Sequence, residues 1–149
     1  MDVCDRAVGL VDLWIADMGL DPDTHRLTSH DSRVVWGLQK GSAAIYIAIV
    51  SLADSVYLHV YSPILKRPTG SAEAFYLRLL ELNATELTNC AFAIEDDHIV
   101  VLSQRKVKGL DLVELEEVVL NISGNADRLD DALSEEFGVE MLGSARLLK

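Results

Sequence analysis

Almost nothing in this sequence offers a handle for catalysis. It contains no phosphate-cradling glycine loop, no dinucleotide fingerprint, no GxSxG nucleophile turn and no HExxH zinc helix. Its two cysteines, Cys4 and Cys90, form neither a CxxC pair nor a metal-ligand spacing. One falls on an expected helix and the other on an expected strand, where reduced core thiols are the simplest reading. Basic residues are scarce: 13 Lys and Arg face 24 Asp and Glu, for a net charge of −11. Such a field repels nucleic acid and anionic membrane surfaces, because nucleic-acid binding is driven mainly by Lys and Arg on phosphate. The densest basic run, Arg105-Lys106-Val107-Lys108, is short and reads as a solvated turn. No apolar stretch reaches the roughly 18 residues that a bilayer-crossing helix needs. The chain opens Met-Asp-Val-Cys-Asp, acidic where a secretory leader is basic, which points to a cytoplasmic protein.

What is present is a core. Half of the 149 residues are apolar, enough for one well-packed domain spanning residues 1–149. Asp2 caps a first helix to about Met18, with Val3, Ala7, Val11, Trp14, Ile15 and Met18 on one stripe. Gly19 and Pro22 end it, and a polar loop is expected through Asp31. Three strands follow, Arg33 to Gln39, Ala43 to Leu52 and Ser55 to Tyr61, joined by turns short enough to require antiparallel pairing. Pro63, Pro68 and Gly70 mark a loop, and Ser71 caps a second helix from Ala72 to Leu82. Two strands, Asn89 to Glu95 and His98 to about Lys106, turn at Asp96-Asp97. Asp111 and Glu114 then have capping-box spacing and open a helix to Phe137, stopped by Gly138. Ser123-Gly124-Asn125 lies inside that helix, but the apolar phase from Leu112 to Leu133 continues across it. The tail from Val139 to Lys149 has no clear period. The expected fold is α+β, in the order α-βββ-α-ββ-α, with an antiparallel sheet packed by helices.

Titratable groups are more simply explained by surface than by chemistry. His25 and His30 share a loop with Asp21, Asp23 and Asp31, a superficial metal-site pattern on a polar segment. His59 lies between two strand tyrosines, and His98 follows a hairpin tip. Adjacent carboxylates such as Glu116-Glu117 and Asp130-Asp131 fall opposite the last helix's apolar stripe and read as its solvated face. No nucleophile has a base placed beside it by a motif. Neither a metal, a cofactor nor enzymatic activity is expected.

Two surfaces carry more apolar area than one core contact can cover. On the second helix, Ala72, Phe75, Tyr76, Leu79, Leu80 and Leu82 span well over half the circumference at about 100° per residue. A symmetry-related copy would cover the remainder, so Phe75, Tyr76, Leu79 and Leu80 are the expected homodimer contacts. On the strands, one face carries Val34, Trp36, Ile45, Ile47, Ile49, Val56, Leu58, Phe92, Ile94, Ile99 and Val101. The alternate face carries Val35, Ala44, Tyr46, Ala48, Val50, Tyr57 and Tyr61, too apolar for plain solvent contact. Tyr46, Tyr57 and Tyr61 are the candidate client contacts there, since tyrosine buries area while keeping a polar handle. The acidic surroundings suit a client with a basic or extended segment, and open strand edges would allow β-augmentation.

The order of elements, with Phe75-Tyr-Leu-Arg-Leu-Leu-Glu-Leu-Asn83, Cys90-Ala-Phe-Ala-Ile-Glu-Asp-Asp97, Leu110-Asp-Leu-Val-Glu-Leu115 and Asn125-Ala-Asp127, resembles the YbjN family and the type III secretion chaperone fold. The likeness runs from about Arg33 to Phe137. It implies a small acidic homodimer that holds a protein client without catalysis. The alternative it implies is a stress-related regulatory or sensory module for a signalling protein or small ligand. It carries no catalytic residue over.

Overall fold

The structure, a computed structural model, describes residues 1–142 of the chain. Ten elements follow in order: α1 (Val3–Asp17), α2 (Pro22–His25), β1 (Arg26–His30), β2 (Arg33–Lys40), β3 (Ala43–Leu52), β4 (Ser55–Lys66), α3 (Glu73–Thr85), β5 (Ala91–Glu95), β6 (His98–Lys106) and α4 (Leu112–Phe137). The strands make one antiparallel sheet in the order β1-β2-β3-β4-β6-β5. The α+β class and the meander followed by a hairpin are as expected from the sequence.

Three local expectations are corrected. The loop expected through Asp31 contains α2 and the edge strand β1. An edge strand pairs through its backbone and needs little apolar side chain, so Arg-Leu-Thr-Ser-His carries almost no periodic signal. Pro63 does not begin a loop; it lies within β4, opposite Val100, where the register with β6 shifts between Pro63 and Leu65. A bulge is where a residue without an N–H is tolerated in a central strand. Ser71 does not cap α3, whose N-cap is Ala72 with no side-chain bond. The other caps are as read: Asp2 accepts from the Asp5 N–H, Asp111 from the Glu114 N–H, and Gly138 closes α4 in a left-handed conformation.

α4 runs unbroken through Ser123-Gly124-Asn125, since Leu115, Val119, Ile122, Ala126, Leu129 and Leu133 keep one buried stripe along it. These pack on Trp36, Ile45, Ile47, Ile49, Leu58, Val60, Ile99 and Val101 of the sheet, with Val11, Trp14 and Ile15 of α1 and Phe75, Leu79 and Leu82 of α3. Each Val, Leu, Ile or Phe among them contributes about 1.5–3 kcal/mol by leaving water. Ile94 was expected among them but is half exposed, near the end of the short edge strand β5. After α4 the chain returns to β4: the Lys66 N–H donates to Glu140 O, Leu142 N–H donates to Ile64 O, and Met141 bridges Leu65. Leu147 and Leu148 of the expected tail lie outside the described residues.

Polar side chains stitch α1 to its surroundings. Asp12 holds the Arg26 guanidinium at 2.6 and 2.8 Å and accepts from Trp36 Nε1 at 3.0 Å. Trp14 Nε1 donates to Glu116 Oε2 at 2.5 Å. Glu116 is thus partly buried and engaged, where the sequence placed it on a plain solvated face.

Candidate functional site

The main core cluster draws on α1, α3, α4 and one face of the sheet. The opposite face has its own cluster, Val35, Ala44, Tyr46, Ala48 and Val50, with Tyr61 packed against it. Strand alternation creates it: Val35 and Gly37 of β2 and Ala44, Tyr46, Ala48 and Val50 of β3 fall on this side. No described helix packs on it. The face therefore has the composition of an interior without a described helical layer, and its five apolar residues are buried, with Tyr61 packed against them.

The three tyrosines singled out in the sequence all lie on this face. Tyr46 and Tyr61 are cross-strand partners whose rings stack at 5.2 Å with an interplanar angle of 14°. Tyr46 is only 4% exposed, so it forms floor, whereas Tyr57 and Tyr61 are half-buried. Tyr57 pairs with Val50 and lies 6.5 Å from the His59 ring.

A cavity of about 520 Å³ opens over this floor. Val35, Tyr46, Tyr61, Pro63 and Val100 line it, with Leu27 and Thr28 of β1 on one wall and Glu95, Asp96 and His98 of the β5–β6 turn on the other. Its volume is within the range of ligand clefts. A larger cleft of about 920 Å³ lies where the loop after β4 meets the ends of α3 and α4, but its walls are a loop and helix ends rather than a sheet face.

Besides Arg26 and His98, the cavity is lined by three charged groups that sequence reasoning did not assign to a site: Arg33, Glu95 and Asp96. Tyr61 has its hydroxyl pKa raised by burial first and by Glu95 second, with Arg33 beside it acting the other way. His59 is lowered from 6.5, by burial and then by Arg33. Arg33 and Glu95 stand at strand ends, where a charge reads as a boundary. The register that swings them over one floor is not visible before pairing is known.

The residues expected at a dimer contact divide. Phe75 is 3% exposed and Leu79 is 5% exposed, both within the chain's own core, and Phe75 packs edge-on against Phe137. Tyr76 is half-buried, while Leu80 is 65% exposed and Leu77, not foreseen, is 51% exposed.

Elsewhere, His25 Nδ1 contacts Asp21 O, and no cluster of three or more metal-ligating side chains occurs among the described residues. Arg105, read as part of a turn, lies within β6 and bonds Glu114 at 2.8 Å. No described helix is long and apolar enough to cross a membrane.

An antiparallel sheet with helices on one face and an apolar trough on the other is a recurring solution, and the sequence matches one family over residues 6–142: TY-Chap1, the T3SS (YopN, CesT) and YbjN peptide-binding chaperone 1. The chain belongs to this family. Solved structures share the peptide-binding chaperone fold. A chain of the ExsC–ExsE complex superposes with a TM-score of 0.68 at 15% identity, over 89% of this chain and 97% of that one. The Yersinia pestis type III secretion chaperone SycH, in complex with a stable fragment of YscM2, gives 0.55 at 17% identity, over 82% and 98%. YbjN from E. coli, a candidate transcription regulator, gives 0.53 at 13% identity, over 91% and 95%. At these identities the likeness is one of fold. The comparison with curated proteins finds no matching sequence.

Proposed function

We propose that this member of the peptide-binding chaperones is a cytoplasmic, non-enzymatic chaperone or adaptor that holds a client polypeptide as a homodimer. The observation that carries the reading is the second apolar cluster on the sheet face that no described helix covers. Among proteins of this fold, ExsC is found in complex with ExsE and SycH with a fragment of YscM2, which supports a protein client here. The client segment lies across the face with Tyr46 as floor and Tyr57 and Tyr61 as amphipathic contacts. The net charge of −11 speeds the approach of a client whose overall charge is basic.

The homodimer in this reading uses the outer side of α3. Leu80 and Tyr76 meet the second copy there, together with Leu77, while Phe75 and Leu79 support the helix from within.

The client surface is tested by changing Tyr57 and Tyr61 together to Ser, after circular dichroism shows the fold intact. Wild-type protein from native cytosol should retain a protein client that the variant loses; equal retention removes this face. The dimer is tested by sedimentation of Leu80→Glu, which leaves the core untouched. A wild-type monomer at micromolar concentration discards the dimer, and a variant that remains dimeric moves the interface off α3.

A further inference from the structure

Arg33 is out of character with the face it occupies. It projects from β2 on the same side as Val35 and is partly buried. The other arginine lining the cavity, Arg26, is neutralised by Asp12 at 2.6 Å. Arg33 forms no ion pair among the described residues. Its neighbours are the Tyr61 hydroxyl and His59. A guanidinium has donors only, so neither neighbour can offer it more than a neutral acceptor. His59, neutral or protonated, supplies no negative charge. Glu95 and Asp96 stand on the cavity's other wall without bonding to Arg33. A partly buried guanidinium that lines the cavity without an ion-pair partner among the described residues is a set of donors with no anionic acceptor.

We propose that this corner is a carboxylate subsite for the client: a peptide places an apolar side chain on Val35, Tyr61 and Val100, and an aspartate or glutamate beside it on Arg33. This rests on the peptide-holding reading and specifies the peptide. The backbone groups of β2, β3 and β4 are engaged within the sheet, so this face discriminates through side chains. Planar, bidentate geometry suits guanidinium and carboxylate. Glu95 and Asp96 oppose a second acid at the far wall and accept a base there, which fixes the direction of the peptide. The overall acidity of the protein is no obstacle. At physiological salt, fields fade over about 8 Å, so net charge governs approach while Arg33 governs the contact.

The test uses three fluorescein-labelled peptides of equal length, with one apolar core flanked by glutamate, glutamine or lysine, read by fluorescence anisotropy at physiological salt. Wild type should bind the glutamate peptide about tenfold more tightly than the glutamine peptide. Arg33→Gln should abolish that preference and leave the glutamine peptide within about twofold. Arg33→Lys, which keeps the charge and loses the fork, should retain part of the preference and serves if the Gln variant does not fold. A glutamate preference that survives Arg33→Gln overturns the subsite. Glutamine peptide bound with no preference in wild type removes the subsite and leaves peptide holding intact. No peptide bound at all sinks both. Conversion of Arg33→Gln to a monomer in sedimentation assigns the corner to a second copy of the chain and also overturns the proposal.

Discussion

Leu27 occupies the space that a side chain at Gly37 would need. A Cβ built at Gly37 would lie 2.7 Å from Leu27 Cδ1 and 3.4 Å from Tyr46 Cε1. The cause is the irregular pairing of β1: Arg26 pairs with Trp36 and Thr28 with Val35, so Leu27 is extra and folds over the sheet. Gly37→Val should therefore lever Leu27 away and cost about 1–3 kcal/mol. Adding Leu27→Ala should recover part of that loss, a coupling that urea unfolding of the two singles and the double would measure. Additive losses would mean that the two positions do not share the space.

Gly124 shows the opposite case. It is exposed in the middle of α4, and a Cβ there would meet nothing within 4 Å. Gly124→Ala should stabilise by about 0.5–1 kcal/mol, chiefly by restricting the unfolded chain. Calorimetry should register a rise of about 1–4 °C in Tm.

Asp12 serves two partners at once, so its loss strands both. Asp12→Ala leaves the Arg26 guanidinium unpaired and the Trp36 indole N–H without an acceptor. Arg26 Nε is already buried with no partner, so the loss is not easily absorbed. The expected cost in denaturant unfolding is about 1.5–3 kcal/mol. Asp12→Asn, which keeps an acceptor for Trp36, should cost less.

His59 links stability to pH. Its folded pKa is depressed by burial and by Arg33, so the unfolded chain takes up the proton first as pH falls. Its contribution is present above the unfolded value of 6.5 and is lost as pH drops through the folded pKa. Urea midpoints measured at pH 7.5 and pH 5 should fall more for wild type than for His59→Gln. Equal falls would exclude His59 as the titrating group.

Much of this fold was legible because periodicity and punctuation agreed. The stripe from Leu115 to Leu133 outweighed Ser123-Gly124-Asn125, and Asp2, Asp111 and Gly138 marked helix ends that the structure contains. Alternation on β2 to β4 placed Tyr46, Tyr57 and Tyr61 on one face correctly. What escaped depends on pairing rather than on pattern. β1 has too few apolar residues to announce itself, and Pro63 reads as a breaker until its bulge is seen. On α3 the apolar arc was visible, but its division into an inner side with Phe75 and Leu79 and an outer side with Leu77 and Leu80 was not. Arg33 was invisible as a site residue because its meaning depends on Tyr61 and Glu95, brought near by register alone.

The pairing of β4 with β6 joins two parts that are each local in sequence. β1 to β4 form a chain of neighbouring hairpins, and β5 with β6 forms another, with α3 between the two. Only the β4–β6 seam, from Tyr57–Lys106 to Lys66–His98, must be closed across an intervening helix and strand. Loop-closure entropy falls on that step, since the seam rewards the chain only after the connecting segment has been drawn in. The return of Glu140 to Leu142 onto Ile64 and Lys66 is more distant still and fastens the same strand. β4 is therefore the strand on which the sheet's local and distant pairings meet: it borders the meander through β3 on one side and carries the long-range seam with β6 on the other.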